Sequence, residues 1–278
     1  MIKPGEIQKK ARTVGVRDQQ IEKDYILSWI LQAVAMHHKL SKVMAFKGGT
    51  VLKKVYFKDY RFSEDLDFTL LDNDISNQQI FDYFNEVFEY VKEEANIPLE
   101  IIDFGGYRDE HEDIRLPDGK GGINFYISYI GPLGGIGAHK SVKIDISKSE
   151  GLQFEPINKR VFLTYTDQEE HKLLCYTLEE ILIEKLRSIM QRMQARDFYD
   201  IWYLLEINGL EIEFLISEFI VKCENKNINP KNFFKKLEQR LPQYKARWQK
   251  SMKEQIQDLP EFEQVEREVM RYLKKFDI

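Results

Sequence analysis

The segment that most constrains this chain runs from residue 46 to residue 68 and reads FKGGTVLKKVYFKDYRFSEDLDF. At its end, apolar residues alternate with Asp65 and Asp67, the period of two that is typical of a strand with one buried face. Both aspartates then point the same way, with Cα atoms about 7 Å apart. Two carboxylates this close repel unless a cation lies between them, so the pattern favours a site for a hard divalent metal.

A glycine pair lies upstream of the aspartates, between a short apolar run and an apolar helical pattern. A Gly-Gly turn at the start of a helix leaves backbone N–H groups free and lets a phosphate approach without a Cβ in the way. The threonine that follows adds a hydroxyl. We therefore expect the nucleotide-binding residues of this motif to be Lys47, Gly48, Gly49 and Thr50.

Hydrophobic periodicity predicts the elements around this segment. Helices are expected at residues 18–38 and 77–94, and strands at 98–104, 122–130 and 141–147. From about residue 166 the pattern is helical to the C-terminus.

The strand at 141–147 offers a third acid. Its apolar residues occupy one face and leave Asp145 on the other, and aspartate inside a strand is unfavourable unless it is exposed or bound to a ligand. Two-metal sites commonly take a further carboxylate from a neighbouring strand. Asp145 is preferred to its competitor Asp103, which lies at a strand end.

Lys185 lies in the apolar stripe of a helix predicted after the capping-box sequence TLEE. Burying an ammonium there is costly unless it meets an anion. That anion is either a phosphate or the carboxylate cluster, or a structural partner such as Asp197 or Asp200. Arg187 and Arg192 fall off the stripe and are predicted to be solvated.

Strand, Gly-Gly turn, helix and D-x-D strand in this order resemble the nucleotidyltransferase superfamily that includes DNA polymerase beta. More narrowly, KGGTxL followed by RFSEDLDF is similar to the AbiEii/AbiGii family of nucleotidyltransferase toxins, as are EKDY, KIDIS, EKL and RDFYD. The resemblance implies an α+β (α/β) fold: a mixed sheet with flanking helices, then a helical C-terminal domain. We expect a nucleotidyltransferase core at 1–165 and a helical domain at 166–278 that completes the active site.

The resemblance also implies roles for single residues. Lys185 would hold the nucleotide's phosphates, Asp197 would position or deprotonate the acceptor or orient Lys185, and Ser63 would touch phosphate. EKDY, at residues 22–25, receives no catalytic role, because a solvated helix face with Tyr25 in the core explains it equally well. The implied catalytic residues are Asp65, Asp67, Asp145, Lys185 and Asp197, the first three binding one or two Mg²⁺.

A basic segment from Lys231 to Lys253 carries eight Lys or Arg residues and one Glu, interleaved with aromatic residues. Basic side chains can contact phosphates while aromatics either pack or stack on bases. An ordinary solvated helix face remains the alternative. The candidate RNA-binding residues are Lys235, Lys236, Arg240, Lys245 and Arg247.

Composition limits the compartment and the partners. No apolar run approaches the ~20 residues needed to cross a bilayer, no signal-peptide core is found at the N-terminus, and the two cysteines lack metal-ligand spacing, so we expect a cytoplasmic protein. A net charge of −5 means that any nucleic-acid binding needs a local basic patch. The loop at 105–121, with His111 among acidic residues, is interpreted as a solvated loop.

Together these features predict a Mg²⁺-dependent nucleotidyltransferase that uses an NTP. The resemblance further implies a toxin of a toxin–antitoxin or phage-defence system, a cognate antitoxin, and an RNA acceptor at the tRNA 3′ end. Two alternatives stay open: transfer to a small molecule or a protein hydroxyl, and a module that binds a nucleotide or partner without turnover.

Overall fold

A computed structural model describes most of the chain, namely residues 1–103, 122–135, 140–148, 150–276 and 278. The loop predicted at 105–121, with His111, lies outside the described residues. So does the side chain of Asp103, the competitor for the third acid.

The chain divides into two compact units, and each unit is formed by two separate segments of the sequence. The first contains Met1–Glu150 and Pro156–Cys175, and the second contains Gly151–Glu155 and Tyr176–Ile278. The whole sheet lies in the first unit, and the second is built from helices.

The first unit is organised around a seven-stranded mixed sheet with strand order β3-β4-β5-β2-β1-β7-β6. The pairs β2–β5 and β1–β7 are parallel and the other four are antiparallel. This confirms the predicted mixed α/β architecture. The strands are β1 Met44–Lys47, β2 Asp65–Leu70, β3 Leu99–Asp103, β4 Ile123–Tyr129, β5 Ser141–Lys148, β6 Ile157–Arg160 and β7 Lys172–Cys175.

In the part of the first unit that the structure describes, five helices accompany the sheet. The two long ones confirm the helices predicted from hydrophobic spacing, and the fourth continues as one π-helical turn over Leu52–Tyr56. The helices are α1 Pro4–Val14, α2 Asp18–Met36, α3 Leu40–Val43, α4 Gly48–Val51 and α5 Asn77–Ala95.

The second unit packs its helices around an aromatic core. Phe198 stacks on Tyr244 with ring centroids 5.4 Å apart, and Trp248 meets Phe262 edge-on at the same distance. The Thr177 hydroxyl caps the first helix by accepting the N–H of Glu180, as the TLEE sequence predicts. The helices are α6 Leu178–Gln191, α7 Ala195–Trp202, α8 Ile216–Glu224, α9 Phe233–Met252 and α10 Phe262–Leu273.

Hydrophobic periodicity did not predict β6 or β7, and β7 lies where helices were expected from about residue 166. Each has four residues, too few for a clear period of two, and β6 is a largely exposed edge strand with a polar sequence. Pairing with β1 and with each other stabilises them, which local sequence cannot reveal. Among the described residues, no helix combines the length and the apolar character that a membrane span requires.

Candidate active site

Three aspartates share one face of the sheet. Asp67 on β2 and Asp145 on β5 are direct partners in the parallel ladder between these strands. Asp65 lies two residues before Asp67, and residues two apart on a strand point to the same face. All three side chains are partly exposed. The structure therefore brings together, on one partly open surface, the acids selected from the sequence.

Gly48 follows β1 directly and lies against Asp67. Its φ is +79°, a conformation that side-chain-bearing residues rarely adopt. A Cβ at this position would lie 2.2 Å from Asp67 Oδ2, far inside van der Waals contact. Both the backbone conformation and the close approach require glycine, so the Gly-Gly turn and the D-x-D strand are parts of one site.

The second glycine lies against two side chains of the RFSEDLDF sequence. A Cβ on Gly49 would lie 2.6 Å from Arg61 Nη2 and 3.5 Å from Ser63 Oγ. Both side chains are buried. Ser63, implicated only by resemblance, thus lies beside the turn. Arg61 was given no role, although its place in the same motif was a signal that could have identified it.

Thr50 and Lys47 connect the turn to neighbouring strands. Thr50 Oγ1 donates a hydrogen bond of 2.5 Å to the backbone carbonyl of Asp65, and the residue is 1% exposed. Lys47 lies opposite Asp67 in the antiparallel pair, and its Nζ donates to Ser147 Oγ at 3.1 Å. Thr50 therefore holds the turn to β2, and Lys47 places a cation in the same row as two acids.

Lys143 is a further residue of this face that received no role from the sequence. It is the ladder partner of Asp65, and its Nζ lies 2.8 Å from Asp145 Oδ2. Burial alone would lower the pKa of Lys143, but the hydrogen bond and charge of Asp145, with the charges of Asp65 and Asp67, raise it above its ordinary value. The ammonium is thus held in its charged form by the acids.

The three carboxylates have the chemistry of a Mg²⁺ site, because this hard ion prefers oxygen ligands. Their oxygens are nevertheless not gathered tightly. Among the described residues, a single group of three potential ligand side chains has its ligand atoms all within 4.8 Å of one another, and it lies elsewhere. The aspartates fit a divalent cation by type, register and shared face, and sharing one ion requires rotation of their side chains.

The group within 4.8 Å consists of His37, His38 and Glu86. His37 Nδ1 accepts the backbone N–H groups of Lys39 and Leu40, so the ring proton lies on Nε2, 3.1 Å from Glu86 Oε2. A metal-bound histidine normally donates its second ring nitrogen to a partner. Here that nitrogen accepts, so the contacts of His37 suit a hydrogen-bonded cluster better than a metal centre.

Lys185 and Asp197, the remaining predicted catalytic residues, lie in the second unit. Lys185 Nζ is 2.7 Å from Asp197 Oδ1 and 2.7 Å from Asp200 Oδ2, and all three side chains are buried. Burial alone would raise the pKa of Asp197, but the charges of Lys185 and Arg192 lower it below its ordinary value. The ammonium in the apolar stripe thus has carboxylate partners within its own unit.

Of the two arginines predicted to be solvated, Arg192 is exposed but also paired, whereas Arg187 is buried. Arg192 donates from Nε to Asp197 Oδ2 at 2.8 Å and from Nη2 to Oδ1 at 3.1 Å, although half of its side chain is exposed. Arg187 is buried and donates to Gln191. Helical spacing showed that both lie off the apolar stripe, but it could not show that Arg192 pairs with Asp197 or that Arg187 is buried.

The EKDY sequence is buried and paired, which corrects its interpretation as a solvated helix face. Glu22 accepts the backbone N–H of Leu133 at 2.7 Å and lies 2.8 Å from Lys140 Nζ. Asp24 Oδ2 lies 2.8 Å from Lys54 Nζ. These charges hold α2 to the segment after β4 and to the helical turn after the glycines, because buried charges need partners.

Helix α9 separates the aromatic and basic residues of the basic segment. Phe233, Tyr244 and Trp248 are buried in the core of the second unit. Arg240 is partly exposed and donates to the Arg192 carbonyl. The candidate RNA-binding residues with exposed side chains are Lys235, Lys236, Lys245 and Arg247. The aromatics therefore pack, and the face left open is basic.

The order of strand, Gly-Gly turn, helix and D-x-D strand is thus realised around one sheet face with the third acid alongside, as in nucleotidyltransferases. The profile of the family described as "Nucleotidyl transferase AbiEii toxin, Type IV TA system" matches residues 29–274. This match spans most of the chain. The chain belongs to the AbiEii family and is a nucleotidyltransferase of the toxin class, which confirms the resemblance found in the sequence.

Solved structures with a similar fold include MenT4, a nucleotidyltransferase toxin from Mycobacterium tuberculosis H37Rv. It has a TM-score of 0.65 and 14% identity, over 99% of this chain and 89% of that protein. JHP933 from Helicobacter pylori has a TM-score of 0.55 and 17% identity, over 94% of each chain. No curated protein matches the chain. At these identities the structural likeness concerns the fold.

Proposed function

We propose that this protein transfers a nucleoside monophosphate from an NTP to an RNA hydroxyl, with the tRNA 3′ end as the acceptor. The acceptor hydroxyl gives up its proton to solvent, and its oxygen forms a bond to the α-phosphorus. The bond between the α-phosphorus and its bridging oxygen to the β-phosphate breaks, and pyrophosphate leaves. The observation that carries the proposal is the direct pairing of Asp67 with Asp145 beside the Gly48 turn.

Asp65, Asp67 and Asp145 would hold one or two Mg²⁺ on the open face of the sheet. A bound divalent ion supplies charge stabilisation for the attacking and leaving oxygens. The N–H groups of the Gly48–Gly49 turn and the side chains of Lys47 and Ser63 face the triphosphate in this proposal. Thr50 contributes by fixing the turn to β2.

In the second unit, Lys185 would hold a phosphate of the nucleotide, and Asp197 would orient the Lys185 ammonium. The pairing of Lys185 with two buried carboxylates supports the orienting role.

The basic face of α9 supports RNA as the acceptor. Its exposed Lys235 and Lys236 provide cations for the phosphate backbone, in a chain whose net charge is negative. We further propose that the protein is a cytoplasmic toxin held in check by a cognate antitoxin, which its membership of a toxin family supports.

The test uses purified protein, each α-³²P-labelled NTP in turn, Mg²⁺ and total RNA. We expect label in the tRNA fraction with one or two of the NTPs, and loss of at least about 1,000-fold in Asp67→Asn and Asp145→Asn. If a small molecule or a protein carries the label instead, that molecule rather than tRNA is the acceptor. Nucleotide binding without any labelled product would overturn the assignment as a transferase.

A further inference from the structure

The Lys143 ammonium pairs with a carboxylate of the acid face, the face of the sheet that carries Asp65, Asp67 and Asp145. Lys143 and Asp145 lie two residues apart on β5 and so point to the same side of the sheet. Their side chains are 29% and 20% exposed, and Nζ lies 2.8 Å from Oδ2. The contact is therefore partly shielded from water and remains open to a ligand.

The same oxygen belongs to the set that a divalent cation would use. Asp145 pairs with Asp67 in the ladder, and Asp65 pairs with Lys143 itself, so the ammonium stands within the group of acids. The acids are also not drawn together within 4.8 Å. An ammonium that neutralises them and a metal that must gather them compete for one carboxylate.

We propose that Lys143 is a built-in counter-ion of the acid face, which leaves Asp145 when a divalent cation binds and then pairs with a phosphate oxygen of the NTP. The proposal rests on the proposed function and assigns a positioning residue to it. Metal binding and nucleotide binding are therefore linked through Lys143, since an ammonium displaced from Asp145 becomes available to pair with the triphosphate.

The chemistry of the exchange follows from charge. Once Asp145 has a divalent partner, the ammonium lies beside a more positive centre and is driven towards a new anion. Its flexible four-carbon stem lets the ammonium move while the backbone of β5 stays fixed. The anion that arrives on this face is the triphosphate.

The first experiment measures Mn²⁺ binding to the purified full chain by electron paramagnetic resonance, without nucleotide. Lys143→Met removes the competitor, so we expect its Mn²⁺ dissociation constant to fall about three- to tenfold. Lys143→Arg keeps the charge and should stay within about twofold of wild type. An unchanged or weaker affinity in Lys143→Met overturns the proposal.

Lys148→Met is the matched control for the loss of one charge. Lys148 lies on the same strand, but it projects to the other face, where its Nζ donates to the Ile75 carbonyl at 3.0 Å. General electrostatic attraction would tighten Mn²⁺ binding equally in both variants, which would also overturn the proposal. Tightening confined to Lys143→Met supports it.

The second experiment titrates the four α,β-methylene nucleoside triphosphates, one at a time, at saturating Mn²⁺. Lys143→Met should bind the preferred analogue about three- to tenfold more weakly while it binds the metal more tightly. Opposite changes in the two affinities exclude a merely structural role, because damage to the fold weakens both. Equal nucleotide affinity in wild type and variant overturns the exchange.

Asp67→Asn separates this proposal from the proposed function. If Mn²⁺ binding disappears in Asp67→Asn but Lys143→Met behaves as wild type, the metal site stands and the counter-ion role falls. If neither wild type nor Lys143→Met binds Mn²⁺, or if binding survives Asp67→Asn, both the metal site and the role of Lys143 are overturned.

Discussion

At the scale of single residues, Gly48 sets where the Asp67 carboxylate can lie. Gly48→Ala would place a Cβ 2.2 Å from Asp67 Oδ2, so the carboxylate must move away. A displacement of about 1 Å at a reacting group can cost about 100-fold in rate. We therefore expect nucleotidyl transfer to fall by at least about 100-fold in Gly48→Ala, measured as the initial rate of label incorporation.

Gly134→Ala is the control for this substitution. Gly134 also has a positive φ, +65°, but a Cβ there would meet no atom of a described residue within 4 Å. It carries the same backbone strain, about 1–2 kcal/mol, without the collision. Equal loss of activity in both variants, or loss that tracks thermal unfolding measured by circular dichroism, would contradict the steric explanation.

His37 makes stability depend on pH. Burial and the neighbouring His38 lower its pKa below the ordinary 6.5, against the opposing effect of Glu86. Between the lowered pKa and about pH 6.5, His37 is protonated in the unfolded chain but neutral in the folded protein. The contribution of His37 to stability is therefore complete above about pH 6.5 and is lost as pH falls through the lowered pKa. We expect the free energy of unfolding in urea to fall between pH 7.5 and 5.5.

His37→Asn removes the titrating ring and keeps a side-chain acceptor for the N–H groups of Lys39 and Leu40. Its loss of stability over the same pH range should be smaller than that of wild type, since all other titrating groups are shared. Identical pH profiles would show that His37 is not responsible.

Single residues also show where prediction from sequence stops. Alternation placed Asp65, Asp67 and Asp145 on open strand faces, because the period of two is a backbone property. The contact of Lys143 with Asp145 depends on rotamers and on strand neighbours, which spacing does not contain. The same limit applies to Thr50, whose hydroxyl donates to a backbone carbonyl that only the fold brings near.

At the scale of elements, a buried ion pair joins α2 to the helical segment that begins at Gly48. Lys54 and Asp24 are 2% and 1% exposed, and Lys54 Nζ also donates to Ser28 Oγ at 2.6 Å. Lys54→Met leaves the Asp24 carboxylate buried without its cation, which costs about 3–5 kcal/mol. Urea unfolding should show this loss, with a smaller loss in the double variant Asp24→Asn/Lys54→Met.

The exposed pair of Lys92 and Glu89 on α5 provides the comparison. Both side chains are more than half exposed, so Lys92→Met should change the free energy of unfolding by less than about 0.5 kcal/mol. If Lys54→Met were as mild as Lys92→Met, the pair would not hold α2 to the glycine turn.

The capping-box sequence TLEE correctly predicted where α6 begins, but not the partners of its glutamate Glu180. Thr177 does cap α6, but the Glu180 side chain serves a different purpose than the reciprocal cap bond. Its Oε1 lies 2.6 Å from Lys222 Nζ, and its Oε2 accepts the N–H groups of Gln153 and Phe154. Local sequence identified where the helix begins. The partners come from a distant helix and from the segment Gly151–Glu155, which no local pattern could supply.

At the scale of the whole molecule, the candidate site depends on strand order. Asp67 and Asp145 become neighbours because β5 pairs in parallel with β2, while β3 and β4 continue the sheet beyond β5. Sequence periodicity predicted the strands but not their order, because pairing is decided by non-local contacts. Alternation and the need for a further carboxylate selected Asp145, and the family resemblance supported that choice, but neither showed that it pairs directly with Asp67.

Charge is unevenly distributed over the molecule, which carries −5 overall while the segment from Lys231 to Lys253 is basic. If α9 binds the RNA backbone, Lys235→Glu/Lys236→Glu should lower the apparent affinity for tRNA about tenfold. The slope of the logarithm of this affinity against the logarithm of salt concentration should become less negative by about two. Binding of NTP should not change, since substrate phosphates are proposed to bind at the glycine turn.

Lys42→Glu/Lys92→Glu gives the same change in net charge, from −5 to −9, at exposed lysines of the first unit. Because long-range repulsion depends on total charge and local contacts do not, a loss confined to the α9 variant identifies the helix face as the RNA contact. Equal weakening in both double variants would mean that tRNA responds only to net charge, and the acceptor site would then have to be sought away from α9.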